Sequence, residues 1–246
     1  MPLKAVDSAV GKYEQDLIRV MEGLDKRLVS LLRKTQLTGT ELFDATAILQ
    51  ARPVMLEELR LSGYGDIANR LVGEYPDVMS GVGRSLVAAG IPKAVFTSVD
   101  AQTFKQIAAA DLEVFSTIGA KAMDDLRQGL YKMAVQGNSF EAMVEQIAAS
   151  TVGTAKNGAP LANYARTHAN TAALDFAGQV SITAGERLGT DRFEVVGPSD
   201  AATRDVCNSA LSSPVRTKDE WIAAGYWGGT PGGWNCRHIM RPYFGE

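Results

Sequence analysis

The chain has 246 residues with 46% hydrophobic and 22% charged side chains, an ordinary balance for a globular protein with a substantial core. A net charge of −3 gives no general reason to expect nucleic-acid or membrane binding, and no run of 18 apolar residues is present to span a bilayer. Two cysteines make no disulfide framework, and Asp7 interrupts the N-terminus before any signal-type apolar run, so a soluble product of a reducing cytoplasm is expected.

The first element is a long amphipathic helix. Val6, Val10, Tyr13, Leu17, Val20, Leu24, Leu28 and Leu31 follow one another at steps of four and three, a heptad-like seam. That seam packs within its own bundle by default, or is presented to a partner. Thr38 and Glu41 have capping-box spacing and predict a second helix carrying Leu42, Ala45, Ile48 and Leu49. Pro53 restarts or kinks it, and Leu61–Asp66 reads as a break.

Between Ile67 and Pro92 the pattern weakens, because Pro76, Gly81, Gly83 and Gly90 interrupt it; only short helical pieces are expected. Asp100 is placed to cap a long helix reaching Gln136, with Gly137 as its stop. Asn138 and Glu141 open the next helix, Ser150–Pro160 reads as a loop, and a last long helix runs over Leu161–Leu188.

At Gly189 the composition changes. Asp191–Gly197 alternates and is β-branched, the clearest strand in the chain. Short helical pieces follow near Ala201–Ala210 and Lys218–Ala224, and Arg237–Phe244 is a candidate second strand. The expected fold class is therefore mainly α: a long-helix body over residues 1–189 and a small C-terminal α+β cap over 190–246.

The rare chemistry sits in that cap. Cys207, Cys236 and His238 lie there, and on an extended chain Cys236 and His238 project from one face. A closed zinc site takes four sulfur or nitrogen ligands, and only three are in reach without His168. The expected state is thus a pair of unligated thiols and no metal or other cofactor, with a Cys207–Cys236 disulfide left open. An enzymatic alternative makes Cys207 or Cys236 a nucleophile, His238 its base, and Asp200 or Asp205 the orienting acid. No catalytic signature surrounds these residues.

The stretch WGGTPGGW lacks the Lys-Ser/Thr ending of a phosphate loop and reads as a close-packed turn anchored by Trp227 and Trp234. Arg166 is expected to pair with Asp200 or Asp205, or else to lie on a solvated helix face. Arg166, Asp200, Arg204, Trp221, Trp227, Trp234 and Cys236 are the residues expected to hold the cap together.

One order of features resembles a known family. Ala165-Arg166-Thr167-His168-Ala169-Asn170 ends the helical region. A strand then leads to GPSDAATRDVCNSAL (Gly197–Leu211), and NCRHIMRP (Asn235–Pro242) follows. This resembles the phage head morphogenesis proteins, the Mu F-like and SPP1 minor head family, over about residues 100–246. His168 stands where that family often has Glu, and Arg204 with Cys207 stand where some members have two cysteines.

The resemblance implies a minor structural protein of a tailed-phage virion. It would be assembled in the host cytoplasm, sit at or near the portal in several copies, and in some relatives enter the host with the DNA. Its partners would be the portal or other head proteins, with no membrane in the particle. Direct DNA binding is not expected, since no basic run is present. No enzymatic activity is implied, and no appended toxin domain is expected after the closing motif.

Overall fold

The computed structural model describes residues 4–153 and 159–245. The chain is mainly α, 68% helical, with one small antiparallel sheet near the C-terminus. Among the described residues no helix is long and apolar enough to cross a membrane.

Among the described residues ten helices precede or flank the strands: α1 (Lys4–Lys34), α2 (Ala45–Gln50), α3 (Arg52–Leu61), α4 (Tyr64–Gly73), α5 (Tyr75–Ala88), α6 (Ser98–Val135), α7 (Phe140–Thr151), α8 (Pro160–Arg187), α9 (Asp205–Leu211) and α10 (Lys218–Ala223). The strands are β1 (Arg192–Val196), β2 (Arg216–Thr217) and β3 (Ile239–Pro242), in the order β2-β1-β3.

The chain divides into two compact units. One holds Met1–Lys12, Arg70–Asp111 and Thr167–Glu246; the other holds Tyr13–Asn69 and Leu112–Arg166. The composition change at Gly189 coincides with the end of α8, but the unit containing residues 190–246 begins that segment at Thr167 and also takes in two earlier ones, Met1–Lys12 and Arg70–Asp111.

The seam of α1 is buried at Val6, Val10, Tyr13, Leu17, Leu24 and Leu28, as its spacing predicts. Its far end shifts by one residue: Met21 and Leu32 are buried, while Val20 and Leu31 are only partly so. A straight helix repeats every 3.6 residues, so a strict seven-residue pattern drifts off the buried face.

In the unit built on Tyr13–Asn69 and Leu112–Arg166, α1 packs beside α3, α4, α6 and α7. The rings of Tyr13 and Phe115 lie 5.4 Å apart, and Gly119 of α6 lets Leu59 and Tyr64 approach so closely that a Cβ would come within 2.8 and 2.9 Å of them. Arg52 forks onto Asp124 at 2.8 and 3.1 Å.

Three helix starts differ from the sequence reading. The cap of α2 is Asp44, which accepts from Ala47 N at 2.9 Å; Thr38 and Glu41 lie in the turn closed by the Gln36–Phe43 bridge, and Leu42 is exposed. Thr97 precedes α6 and exchanges hydrogen bonds with Asp100, so the capping pair is Thr97/Asp100. Ser139, not Asn138, caps α7. In each case the side chain that reaches the third amide wins.

α5 is one continuous 14-residue helix despite Gly81 and Gly83. Gly81 is there because a Cβ would stand 2.7 Å from that of Ala5, a close approach worth more than the lost helix propensity. Pro76 sits in the first turn, where it is tolerated. The Ser150–Pro160 loop reading lies partly outside the described residues; α7 itself runs to Thr151.

From Ala165 to Gly185 no residue of α8 is exposed. Alanine, glycine and serine on its inner faces allow this close packing. Tyr75 stacks on Phe176 at 4.2 Å between centroids and Phe104 meets it edge-on at 5.6 Å, and Arg187 at the helix end forks onto Asp100 at 2.7 and 2.8 Å.

The sheet closes over a small core of Ile182, Phe193, Val195, Ala210, Trp221 and Met240. β1 is the central strand, pairing Phe193 with Arg216 on one side and Val195 with Met240 on the other. The sequence reading gave β1 and β3 but not β2, whose two residues are too short to show a period.

Candidate metal centre

Three stretches of the chain converge on one buried cluster. The turn after β1 begins with Gly197, whose missing side chain leaves room for the His238 ring. Asp200 then folds the turn by accepting from Ala202 N at 2.9 Å. α9 follows, and its first turn buries Cys207.

The glycine-rich stretch supplies the second part. Gly228 and Gly233 take φ of 137° and 69°, and Asn235 takes 57°, a left-handed conformation that turns the chain sharply before Cys236. Asn235 N–H donates to Thr171 Oγ1 of α8 at 2.9 Å, which fixes that turn. The third part is the extended run into β3, which carries Cys236 and His238 two residues apart.

The result is a triad. Cys207 Sγ and Cys236 Sγ lie 3.8 Å apart, and Cys236 Sγ lies 3.5 Å from His238 Nδ1. All three donor atoms are within 4.8 Å of one another, and all three residues are at most 3% exposed. Both cysteines are free thiols.

The surroundings fix the triad from outside. His238 Nε2 sits 2.7 Å from the carbonyl oxygen of Pro198, so Nε2 carries the proton and Nδ1 turns its lone pair to the sulfurs. Gly232 N–H donates to Cys236 Sγ at 3.3 Å. Arg204 reaches the Gly232 carbonyl at 2.9 Å and Cys207 Sγ at 3.9 Å. A Cβ on Gly232 would stand 2.7 and 2.8 Å from the two sulfurs, so only glycine lets this backbone cover them. Burial, and then the neighbouring sulfur, push the Cys236 thiol above its ordinary pKa.

The residues expected to hold the cap sort out as follows. Asp200 is clamped by Arg237 through two hydrogen bonds of 2.9 and 2.6 Å, which hold its carboxyl well below the usual carboxylate range. Arg166 plays no part in this: its partner is Glu14, at 3.4 Å. Arg237 was legible as the alternative, since a guanidinium between Cys236 and His238 must point to the opposite side from both.

Trp221 is fully buried, and Trp227 is partly buried edge-on to Phe193 at 5.1 Å. Trp234 differs from the expectation of a buried anchor: it is 48% exposed and lies flat against the His168 ring at 5.8 Å. His168 itself stays outside the triad, with Nε2 3.3 Å from the Asp111 carbonyl.

Chemically, the sulfurs are too far apart for a disulfide, which needs about 2.05 Å. Both thiols are sealed from solvent, and burial raises the Cys236 thiol, the reverse of an activated nucleophile. The arrangement is a compact set of two soft sulfur donors and one oriented imidazole nitrogen. The chain matches no protein-family model, no curated protein and no solved structure.

Proposed function

We propose that the chain is a minor structural protein of a tailed-phage particle, incorporated at or near the portal during head assembly. One observation carries this reading: residues from all three stretches on which the phage head morphogenesis resemblance rests meet in space, Arg166, paired with Glu14, being an exception. Asp200 and Cys207 come from the stretch after β1, Cys236, Arg237 and His238 from the closing motif, and His168 and Asn170 from α8, where Asn170 reaches Asn235 at 3.4 Å and the adjoining Thr171 accepts from the Asn235 main-chain N–H. They form one continuous set of contacts through Arg237, Cys236, Trp234 and Asn235.

A motif that closes on itself in this way is a folding unit rather than a catalytic one. Its thiols are covered, and its charged pair, Asp200 and Arg237, is satisfied internally. The long helices supply the contact surface that assembly needs, and the closed C-terminal part keeps the end of the chain folded while partners are engaged. Several copies around the portal, and departure with the genome on ejection, complete the proposal.

Quantitative mass spectrometry of purified particles of the encoding phage, before and after triggered DNA release, tests it. A low and fixed copy number per particle is expected. Absence from purified particles sinks the reading, and loss on ejection identifies the chain as delivered with the DNA.

A further inference from the structure

We propose that Cys207, Cys236 and His238 bind a single zinc ion, through both sulfurs and Nδ1, with a water molecule completing the coordination. Tetrahedral zinc, with Zn–S near 2.3 Å and Zn–N near 2.0–2.1 Å, sets its sulfurs about 3.8 Å apart and sulfur to nitrogen about 3.6 Å apart. The triad has 3.8 Å between the sulfurs and 3.5 Å from Cys236 Sγ to His238 Nδ1. Thiol hydrogen bonds, Cys207 to Cys236 and Cys236 to Nδ1, hold two sides of that triangle, and the third side is under 4.8 Å; no single thiol hydrogen bond holds all three corners at once. A tetrahedral ion does.

Three further features belong to a metal site. The Pro198 carbonyl accepts from Nε2 at 2.7 Å, the outer hydrogen bond that orients a ligating histidine and selects the nitrogen it offers. Gly232 N–H points at Cys236 Sγ, and the Arg204 guanidinium approaches Cys207 Sγ; both favour sulfur carrying negative charge. Two thiolates and a neutral imidazole balance a divalent cation, so the buried centre carries no net charge. The sulfur-rich donor set favours zinc over magnesium, calcium or manganese, which take oxygen.

Binding releases the two thiol protons to solvent as the sulfur–metal bonds form, and no electron is transferred. The ion would tie α9, the glycine-rich stretch and the run into β3 to one point, where the hydrophobic core of the sheet is small. The inference is independent of the virion reading.

The test uses the full chain, purified without a histidine tag under reducing conditions, depleted of metal by a chelator and titrated with cobalt(II) as the probe. One equivalent should produce intense sulfur-to-cobalt charge-transfer bands and the visible bands of a tetrahedral ion. One equivalent of zinc should abolish them. Cys207→Ser should retain about half the charge-transfer intensity, since one of two sulfur–cobalt bonds remains, and His238→Asn should weaken binding at least about 10-fold.

The wild-type spectrum is decisive by itself whether or not each ligand variant folds, and circular dichroism checks the folding of each variant. The proposal is overturned if wild-type protein binds no cobalt. Octahedral bands without sulfur charge transfer would equally sink it, as would full retention of the bands by a folded Cys236→Ser protein. Intact-mass measurement showing a Cys207–Cys236 disulfide in the reduced preparation also overturns it.

Discussion

The indole N–H of Trp221 donates to the main-chain carbonyl of Phe193 at 2.8 Å, from a side chain with no exposed surface. Phe193 lies in the central strand, so this bond joins α10 to the sheet from beneath. Trp221→Ala should cost about 3–5 kcal/mol, through lost burial, a cavity and an orphaned carbonyl. Trp234→Ala, at a half-exposed ring whose main contact is His168, should cost about 1 kcal/mol or less. Urea unfolding followed by the fluorescence of the remaining tryptophans separates the two. Equal losses would mean that Trp234 is a buried anchor after all.

The Asp100–Arg187 pair makes a pH-dependent contribution. Hydrogen bonding from Arg187, and also from Thr97, lowers the Asp100 carboxyl from 3.8 to about 2. A depressed folded pKa stabilises the native state when the group is ionised. The contribution is therefore complete above about pH 4 and is lost as pH falls towards 2. With Arg187 40% exposed, solvent reduces it to about 1 kcal/mol. Asp100→Asn should lower stability by that amount at pH 6 and by almost nothing at pH 2. A constant difference at both pH values would assign the loss to helix capping alone.

Asp175 on α8 behaves in the opposite sense. Burial first, and then the nearby Asp111, raise its pKa; donation from Thr230 opposes them. Asp111 is itself raised by burial, against a hydrogen bond from the Tyr75 hydroxyl at 2.5 Å. A raised folded pKa means that ionisation costs stability, so the cost is absent below about pH 4 and grows as pH rises through the raised value. Asp175→Asn keeps an acceptor for Thr230 and removes the charge. It should stabilise the protein by about 1 kcal/mol at pH 7 and leave it unchanged at pH 4, as read from thermal melts. Destabilisation at pH 7 would show that Thr230 needs the carboxylate.

How much of this was legible follows from the range of each interaction. The α6 and α8 spans and β1 depend on local periodicity, and their sequence readings agree with the structure to within a residue or two. The continuity of α5 was hidden because Gly81 and Gly83 signal a break, while the compensation is Ala5, more than seventy residues earlier. The Cys236–His238 half of the triad was visible as a two-residue spacing. Cys207 arrives through α9, and the groups that orient the triad, the Pro198 carbonyl and the Gly232 amide, are backbone atoms with no signature of their own. Arg166 was a reasonable partner for Asp200 by charge, but Arg237, beside the cysteine, reaches it first.

Gly178 and Gly229 form a backbone contact between α8 and the glycine-rich stretch. A methyl group on Gly178 would overlap the Gly229 carbonyl, and one on Gly229 would overlap the carbonyl of Asp175. The neighbouring atoms are backbone and cannot rotate away, so Gly178→Ala should destabilise by about 1–3 kcal/mol or more although alanine is the better helix former. Gly229→Ala should cost a similar amount. The double variant should lose less than the sum, because either methyl separates the same two segments. Gly11→Ala is the control: it lies inside α1 with nothing within 4 Å of the new methyl. There the substitution should stabilise by about 0.5–1 kcal/mol. All three tryptophans lie in the same unit as Gly178 and Gly229, so their fluorescence in urea reports that unit directly. A neutral Gly178→Ala would mean that the glycine-rich stretch is not seated on α8, and a strictly additive double variant would mean that the two glycines guard different contacts.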